Sequence, residues 1–371
     1  MSSSEEKKSG ERTAVIFSTQ ESNLTIALMD ILHKRNYKVH GSYSSEQKVF
    51  NILNSGEASL LIIDDQKDMP ASMVLRQQIF NLIPALTPTI ALCSQRNELD
   101  VKCMAAMGEP AIVPKPVTPN ELLAGFDELD EKWSTYPFSD LLKARSHFIE
   151  GQRKSGYQIL IKMVRDHPVP YLASSVLSLF YRSQNDFLMT EKLLYSAYKE
   201  SAFKMSIVLP LIDLYLYNAC PGSALDLIDE ANEEFGNPNF LCVDAIQANL
   251  MLNRVRECEP FFTQMIENDY SADLAKFFLP RIAYSSGLLD LFDQSIRYKP
   301  DLFDQYQRAW HVLKDKDAKR RLGQYENVAA SKKYQDKLNR ERQKAGLEQK
   351  EVEVNKTIID GDKPLFDSED F

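Results

Sequence analysis

Two hydrophobic patterns follow one another along the chain. From Thr13 to Trp133, short apolar runs alternate with amphipathic stretches, as in a parallel sheet covered on both faces by helices. The runs TAVIF (Thr13 to Phe17), YKVHG (Tyr37 to Gly41), SLLII (Ser59 to Ile63), TIALC (Thr89 to Cys93) and AIV (Ala111 to Val113) predict strands. Between them Leu24, Leu28, Ile31 and Leu32, and then Val49, Ile52 and Leu53, recur at helical spacing. The last helix of the segment has a full start signal: Thr118 as the cap, Pro119 at the first helical position and Glu121 where a capping box places its carboxylate. A small doubly wound α/β domain is expected.

After Trp133 the strand-like runs stop and helical hairpins of nearly constant length begin. Their second helices align as GQRKSGYQILIKMVRDHP, NDFLMTEKLLYSAYKESA, ACPGSALDLIDEANEEFG and NRVRECEPFFTQMIENDY, starting at Gly151, Asn185, Ala219 and Asn253, a step of 34 residues. Equivalent positions carry Gly156, Thr190, Ala224 and Cys258, then Leu160, Leu194, Ile228 and Phe262, then Met163, Ala197, Ala231 and Met265. A helix pair repeated at that period predicts an α-solenoid, in which each unit buries its apolar face by stacking on its neighbours. A fifth, more divergent unit is expected from about Ala272 to Pro300, followed by capping helices over 301–345.

Composition changes this picture only in part. The chain has 371 residues, 44 Lys+Arg against 53 Asp+Glu, and a net charge of −9. That is a multidomain globular composition, with a charge balance that disfavours general nucleic-acid binding. The charge is uneven: residues 314–345 hold 11 basic and 5 acidic residues, and residues 346–371 hold 8 acidic and 3 basic. The latter segment, like residues 1–11, is expected to be disordered. The opening MSSSEEKKSGER does not resemble a secretory signal, and no run of about 20 apolar residues predicts a membrane span. Five dispersed cysteines without a C-x-x-C predict reduced thiols in a cytoplasmic setting, and five dispersed histidines predict no metal site.

The residues LLIIDD, PTIALCS and GEPAIVPKPVTPNELL carry a resemblance of residues 12–133 to the receiver (CheY-like) domains of bacterial two-component systems. The resemblance implies a flavodoxin-like (βα)5 fold. It also implies a phosphoacceptor carboxylate at the end of the third strand, Asp64 by register, with adjacent Asp65 as the alternative. Lys115 matches the lysine that pairs with the phosphoryl oxygens, and register places Cys93, with Ser94 one residue later, at the switch position ending the fourth strand. Receivers carry an acidic pair after the first strand that holds Mg²⁺; here those positions are Ser18 and Thr19. Neutral hydroxyls supply no charge to a hard cation, and without the ion phosphoryl transfer loses its main electrostatic support. A degenerate, pseudo-receiver site is therefore expected, with Mg²⁺ as a cofactor only if the site is active.

Residues 134–300 resemble tetratricopeptide repeats, through Tyr181 and Tyr215 on first helices, Gly151 at a turn, Ala197, Ala224 and Ala231 on second helices, and Pro168 after a hairpin. Such repeats bind peptides or protein surfaces along a groove, which here would present Arg145, Arg182, Asp213 and Tyr217. The expectation is a non-enzymatic signalling adaptor of two-component type, with protein partners in the repeat groove. A histidine kinase or another signalling protein would meet the receiver-like domain, whose face formed by the fourth helix, fifth strand and fifth helix could also form a homodimer. The alternatives are a phosphorylation-competent response regulator using Asp64 or Asp65, and a nucleic-acid-associated regulator acting through residues 314–344. No Gly-rich phosphate loop, G-x-S-x-G or nucleophile with a neighbouring histidine predicts an enzyme.

Overall fold

The computed structural model describes residues 12–18, 23–66, 70–94, 98–166, 171–201, 204–218, 220–252, 254 and 256–267. The expected fifth hairpin, the capping segment 301–345 and the terminal segments 1–11 and 346–371 lie outside the described residues. The chain divides into two compact units, one built from residues up to 183 together with 196–207, the other from 184–195 and the residues from 208 onward.

The first unit contains a five-stranded parallel sheet in the order β2-β1-β3-β4-β5. The strands are β1 (Arg12–Phe17), β2 (Tyr37–Tyr43), β3 (Leu60–Asp64), β4 (Thr89–Cys93) and β5 (Ala111–Pro114). Helices α1 (Asn23–Lys34), α2 (Glu46–Ser55), α3 (Ala71–Ile79), α4 (Glu98–Ala105) and α5 (Pro119–Ser134) alternate with them. This strand order is the flavodoxin-like arrangement, in which the chain reverses direction of growth after β2. All residues of β3 and β4 are buried, as continuous apolar runs covered on both faces must be. The ends of the helices follow local chemistry. Ser45 caps α2 and Gly56, in a left-handed conformation, closes it. Thr118 and Glu121 form the expected capping box on α5.

Helical hairpins follow, as α6 (Phe138–Ile149), α7 (Arg153–Asp166), α8 (Tyr171–Ser183), α9 (Phe187–Glu200), α10 (Met205–Tyr217), α11 (Pro221–Phe235), α12 (Cys242–Met251) and α13 (Glu259–Glu267). The second helices α7, α9 and α11 open at Arg153, Phe187 and Pro221, which preserves the 34-residue step read from the sequence. The aligned positions are the buried ones: Gly156, Thr190, Ala224 and Cys258 are all inaccessible, as are Leu160, Leu194 and Ile228. Gly156 shows why one of them is small, since a Cβ there would lie 2.5 Å from the Phe148 ring. The 34-residue step is therefore visible as a burial register, and α6 and α7 pack closely because of it.

The first unit does not stop at residue 133. α6 lies against the amino-terminal edge of the sheet, and its Arg145 is buried there. Arg145 Nη2 donates to the Ala58 carbonyl at 2.6 Å and Nε to Thr87 Oγ1 at 3.0 Å, groups that precede β3 and β4. Thr87 in turn donates to the Ile83 carbonyl, and buried Gln78 donates to the carbonyls of Pro84 and Thr87 and to Thr89 Oγ1. The expectation that Arg145 lines a binding groove is thus corrected. An arginine on an amphipathic helix reads as solvated, but here strand-leading backbone groups need a donor and Arg145 supplies it. Ile149, one turn further along α6, packs over Gly56. Arg145→Ala is expected to lower stability by about 3 kcal/mol, because it leaves a buried carbonyl and a buried hydroxyl without their donor. Urea unfolding measures this, and a loss under about 0.5 kcal/mol would show that Arg145 is not an anchor.

Candidate functional site

The candidate site lies at the opposite, carboxyl-terminal edge of the sheet, where ligand sites of open α/β folds are built. Parallel pairing aligns the ends of β1, β3 and β5 and so gathers Ser18, Asp64 and Lys115 from distant parts of the chain. Asp64, the last residue of β3, is 4% exposed. Its Oδ2 accepts from Ser18 Oγ at 2.9 Å and from Gln66 Nε2 at 2.9 Å, and Gln66 Nε2 also reaches Ser18 Oγ at 3.0 Å. Its Oδ1 is ion-paired with Lys115 Nζ, which also donates to the Asp65 carbonyl at 2.5 Å. Groups from three different loops thus meet Asp64: Ser18 and Gln66 by hydrogen bonds to Oδ2, and Lys115 by the ion pair to Oδ1.

Asp65 is adjacent but does different work. Its Oδ1 accepts from Ala71 N, at the start of α3, at 2.7 Å, and its Oδ2 from Ser94 N at 3.2 Å. It is 1% exposed. A carboxylate at a helix amino terminus meets an otherwise unsatisfied donor and a favourable dipole, and Pro70, preceding α3, provides no side-chain cap. Asp65 thus fastens the loops after β3 and β4, and Asp64 faces the pocket with Lys115. Of the two expected switch residues, Cys93 is buried with its Sγ 3.5 Å from Met104 Sδ, and Ser94 is exposed and contributes its backbone amide. Thr19 lies outside the described residues. Gln66 was missed in the sequence; only its place two residues beyond Asp64 could have suggested it.

The described residues do not fit a Mg²⁺ ion. Such an ion needs carboxylate charge and open oxygen ligands, and Asp64 already has an ammonium on one oxygen and two neutral donors on the other. Among the described residues no group of three His, Cys, Asp or Glu side chains could hold a metal. Burial pushes the thiols of Cys242 and Cys258 up to about 12 and that of Cys103 higher still, so they stay protonated. Neither a protein-family model nor a curated protein matches this sequence.

The other expected binding residues divide between the units. Arg182 is half-buried at the end of α8 in the first unit. Asp213, half-buried, and Tyr217, 60% exposed, lie on α10 in the second, where the Tyr217 ring sits 5.1 Å from that of Phe187. Among the described residues no helix is long and apolar enough to cross a membrane.

A second polar cluster, unseen in the sequence, forms where the chain enters β5. Gly108 and Glu109 both have left-handed backbones, with φ of 107° and 61°. For a residue with a Cβ this costs roughly 1–2 kcal/mol. The turn presents the Glu109 carboxylate to Lys132 Nζ of α5 at 2.5 Å, to Lys204 Nζ at 2.7 Å and to the Tyr171 hydroxyl of α8. Burial alone would raise the Glu109 carboxyl, but the hydrogen bonds from Lys132, Lys204 and Tyr171 outweigh it and bring it down to about 2. The same groups act on Tyr171, whose hydroxyl is pushed far up by burial and by the Glu109 charge and so remains a donor.

Two outcomes are expected. Asp65→Ala should cost about 2–4 kcal/mol, because it strips the acceptor from two backbone amides, whereas Asp64→Ala should cost clearly less; urea midpoints decide, and equal losses would erase the division of roles. Because the Glu109 carboxyl is lowered on folding, its stabilisation is complete above pH 4.5 and lost as pH falls towards about 2. The stability gap between the protein and Glu109→Gln should therefore shrink across that interval, and a constant gap would refute the clasp.

Proposed function

We propose that the protein is a non-enzymatic signalling adaptor in which a receiver-like α/β domain with a degenerate phosphorylation pocket is joined to a tetratricopeptide-like module that holds a protein partner. The observation that carries this reading is the Ser18 hydroxyl bonded to Asp64 at 2.9 Å, where a receiver places acidic metal ligands. A carboxylate attacking an anionic phosphoramidate needs cationic compensation for the transferring phosphoryl group. In this pocket Lys115 is the single described cation at Asp64, and its charge is already matched. The buried 34-residue register of small positions supports the repeat reading, since it is what stacked helix pairs require. Tyr217 and Asp213 of α10 are the candidates for partner contact, with Arg182 of α8.

A second reading, a phosphorylation-competent response regulator with Asp64 as acceptor, is favoured by one observation, the Asp64–Lys115 pair itself. Binding of nucleic acid through residues 314–344 rests on charge alone and lies outside the described residues. Incubation of the full chain with acetyl phosphate and Mg²⁺ separates the first two readings. We expect no acid-labile phosphate above the level of Asp64→Ala; stoichiometric labelling that Asp64→Ala abolishes would establish the second reading.

A further inference from the structure

The Asp64 pocket and the Glu109 clasp stand at opposite ends of one short strand. β5 has only four residues, Ala111–Pro114; Glu109 precedes it and Lys115 follows it. At the rise of an extended chain the two side chains leave the backbone roughly 20 Å apart. Along that length β5 is held on one side by its ladder to β4, from Ile90↔Ala111 to Cys93↔Pro114, and the Lys115 amide extends the ladder to the Cys93 carbonyl at 2.7 Å. Its buried Val113 is wedged against α5, where a Cβ at Gly125 would lie 2.7 Å from Val113 Cγ2. A packed strand of this kind moves as a body, because close-packed interiors shift between discrete arrangements and do not stretch.

We propose that β5 is a coupling rod: the ion pair of Lys115 with Asp64 and the grip of Tyr171, Lys132 and Lys204 on Glu109 hold the same strand position, and release at either end loosens the other. The element with two states is the turn at Glu109. Its left-handed backbone is kept by the three donors on its carboxylate, and without them the residue reverts to an ordinary conformation that moves the entry to β5. The grip reaches the helical part of the first unit directly. Tyr171 opens α8, Lys204 directly precedes α10, and the Ser206 amide donates to the Ala106 carbonyl in the turn leading to Glu109. A change at the pocket therefore has a mechanical route along β5 to the opposite edge of the sheet. The coupling goes beyond the adaptor reading, and it holds whichever partner the helices bind.

Coupling is reciprocal, so the test runs in both directions on the full chain by hydrogen–deuterium exchange under native conditions. Asp64→Asn, or Lys115→Gln if that variant does not fold, is expected to speed exchange in the α8 segment 172–178 by on the order of fivefold. Tyr171→Phe is expected to speed exchange at Asp65, Ser94 and Lys115 by a similar factor. The double variant should fall short of the product of the two single effects. Arg145→Met, which weakens the same sheet edge away from β5, is the control and should leave the pocket amides unchanged. Effects confined to the mutated end, a multiplicative double variant, or pocket amides that respond equally to Arg145→Met would each overturn the proposal.

Discussion

A buried guanidinium that meets no carboxylate among the described residues organises the first unit. Arg145 is 6% exposed, and its partners are a carbonyl and a hydroxyl, neither of them charged. Burial draws its pKa down to about 10, which still leaves it cationic at neutral pH. A buried charge is costly unless polar groups surround it, and the backbone leading into β3 and β4 is where an open sheet has carbonyls to offer. The result is an orientation rule for the hairpins. α6 meets the amino-terminal edge of the sheet, where Ala58 and Thr87 supply the acceptors that Arg145 uses.

That rule leaves the carboxyl-terminal edge to chemistry and the amino-terminal edge to attachment. The same separation appears in the two aspartates after β3. Asp65 spends its charge on backbone amides at the start of α3 and after β4, and so builds the rim of the pocket. Asp64 is thereby free of that duty and faces Ser18, Gln66 and Lys115. Charged groups thus do three distinct jobs in one unit: Arg145 attaches, Asp65 shapes and Asp64 presents. Glu109 adds a fourth, tying α5, α8 and the approach to α10 to the turn before β5.

Much of the architecture was legible because it rests on local patterns. The strand runs are apolar on both faces, the start of α5 is written in Thr118, Pro119 and Glu121, and the 34-residue step is a periodicity any fold must express locally. Asp64, with Asp65 as its alternative, and Lys115 came from the resemblance to receiver domains, and the structure places all three at the carboxyl-terminal ends of their strands. What stayed hidden depends on partners far away in sequence. Arg145 meets groups 58 and 87 residues distant, and Glu109 meets groups 23, 62 and 95 residues distant. On their own helices or loops, such residues have the same pattern as solvated surface charges. Composition changes from α/β to all-α at residue 133, and α6 beyond it docks on the sheet through Arg145.

The charge count at the pocket explains why a single residue matters so much. Ser18 brings a neutral hydroxyl to Asp64, and Asp64 and Lys115 form an ion pair beside a second buried carboxylate, Asp65. An acidic residue at position 18 would sit within hydrogen-bond distance of Asp64, and two carboxylates that close cannot both stay ionised without a cation between them. The serine thus donates a hydrogen bond where a carboxylate would add a charge, and Ser18, Gln66 and Lys115 all engage Asp64. The Asp64 carboxylate and the Asp65 carbonyl together hold Lys115 at the end of β5. The position of that strand end is then tied to side chains of the folded protein itself.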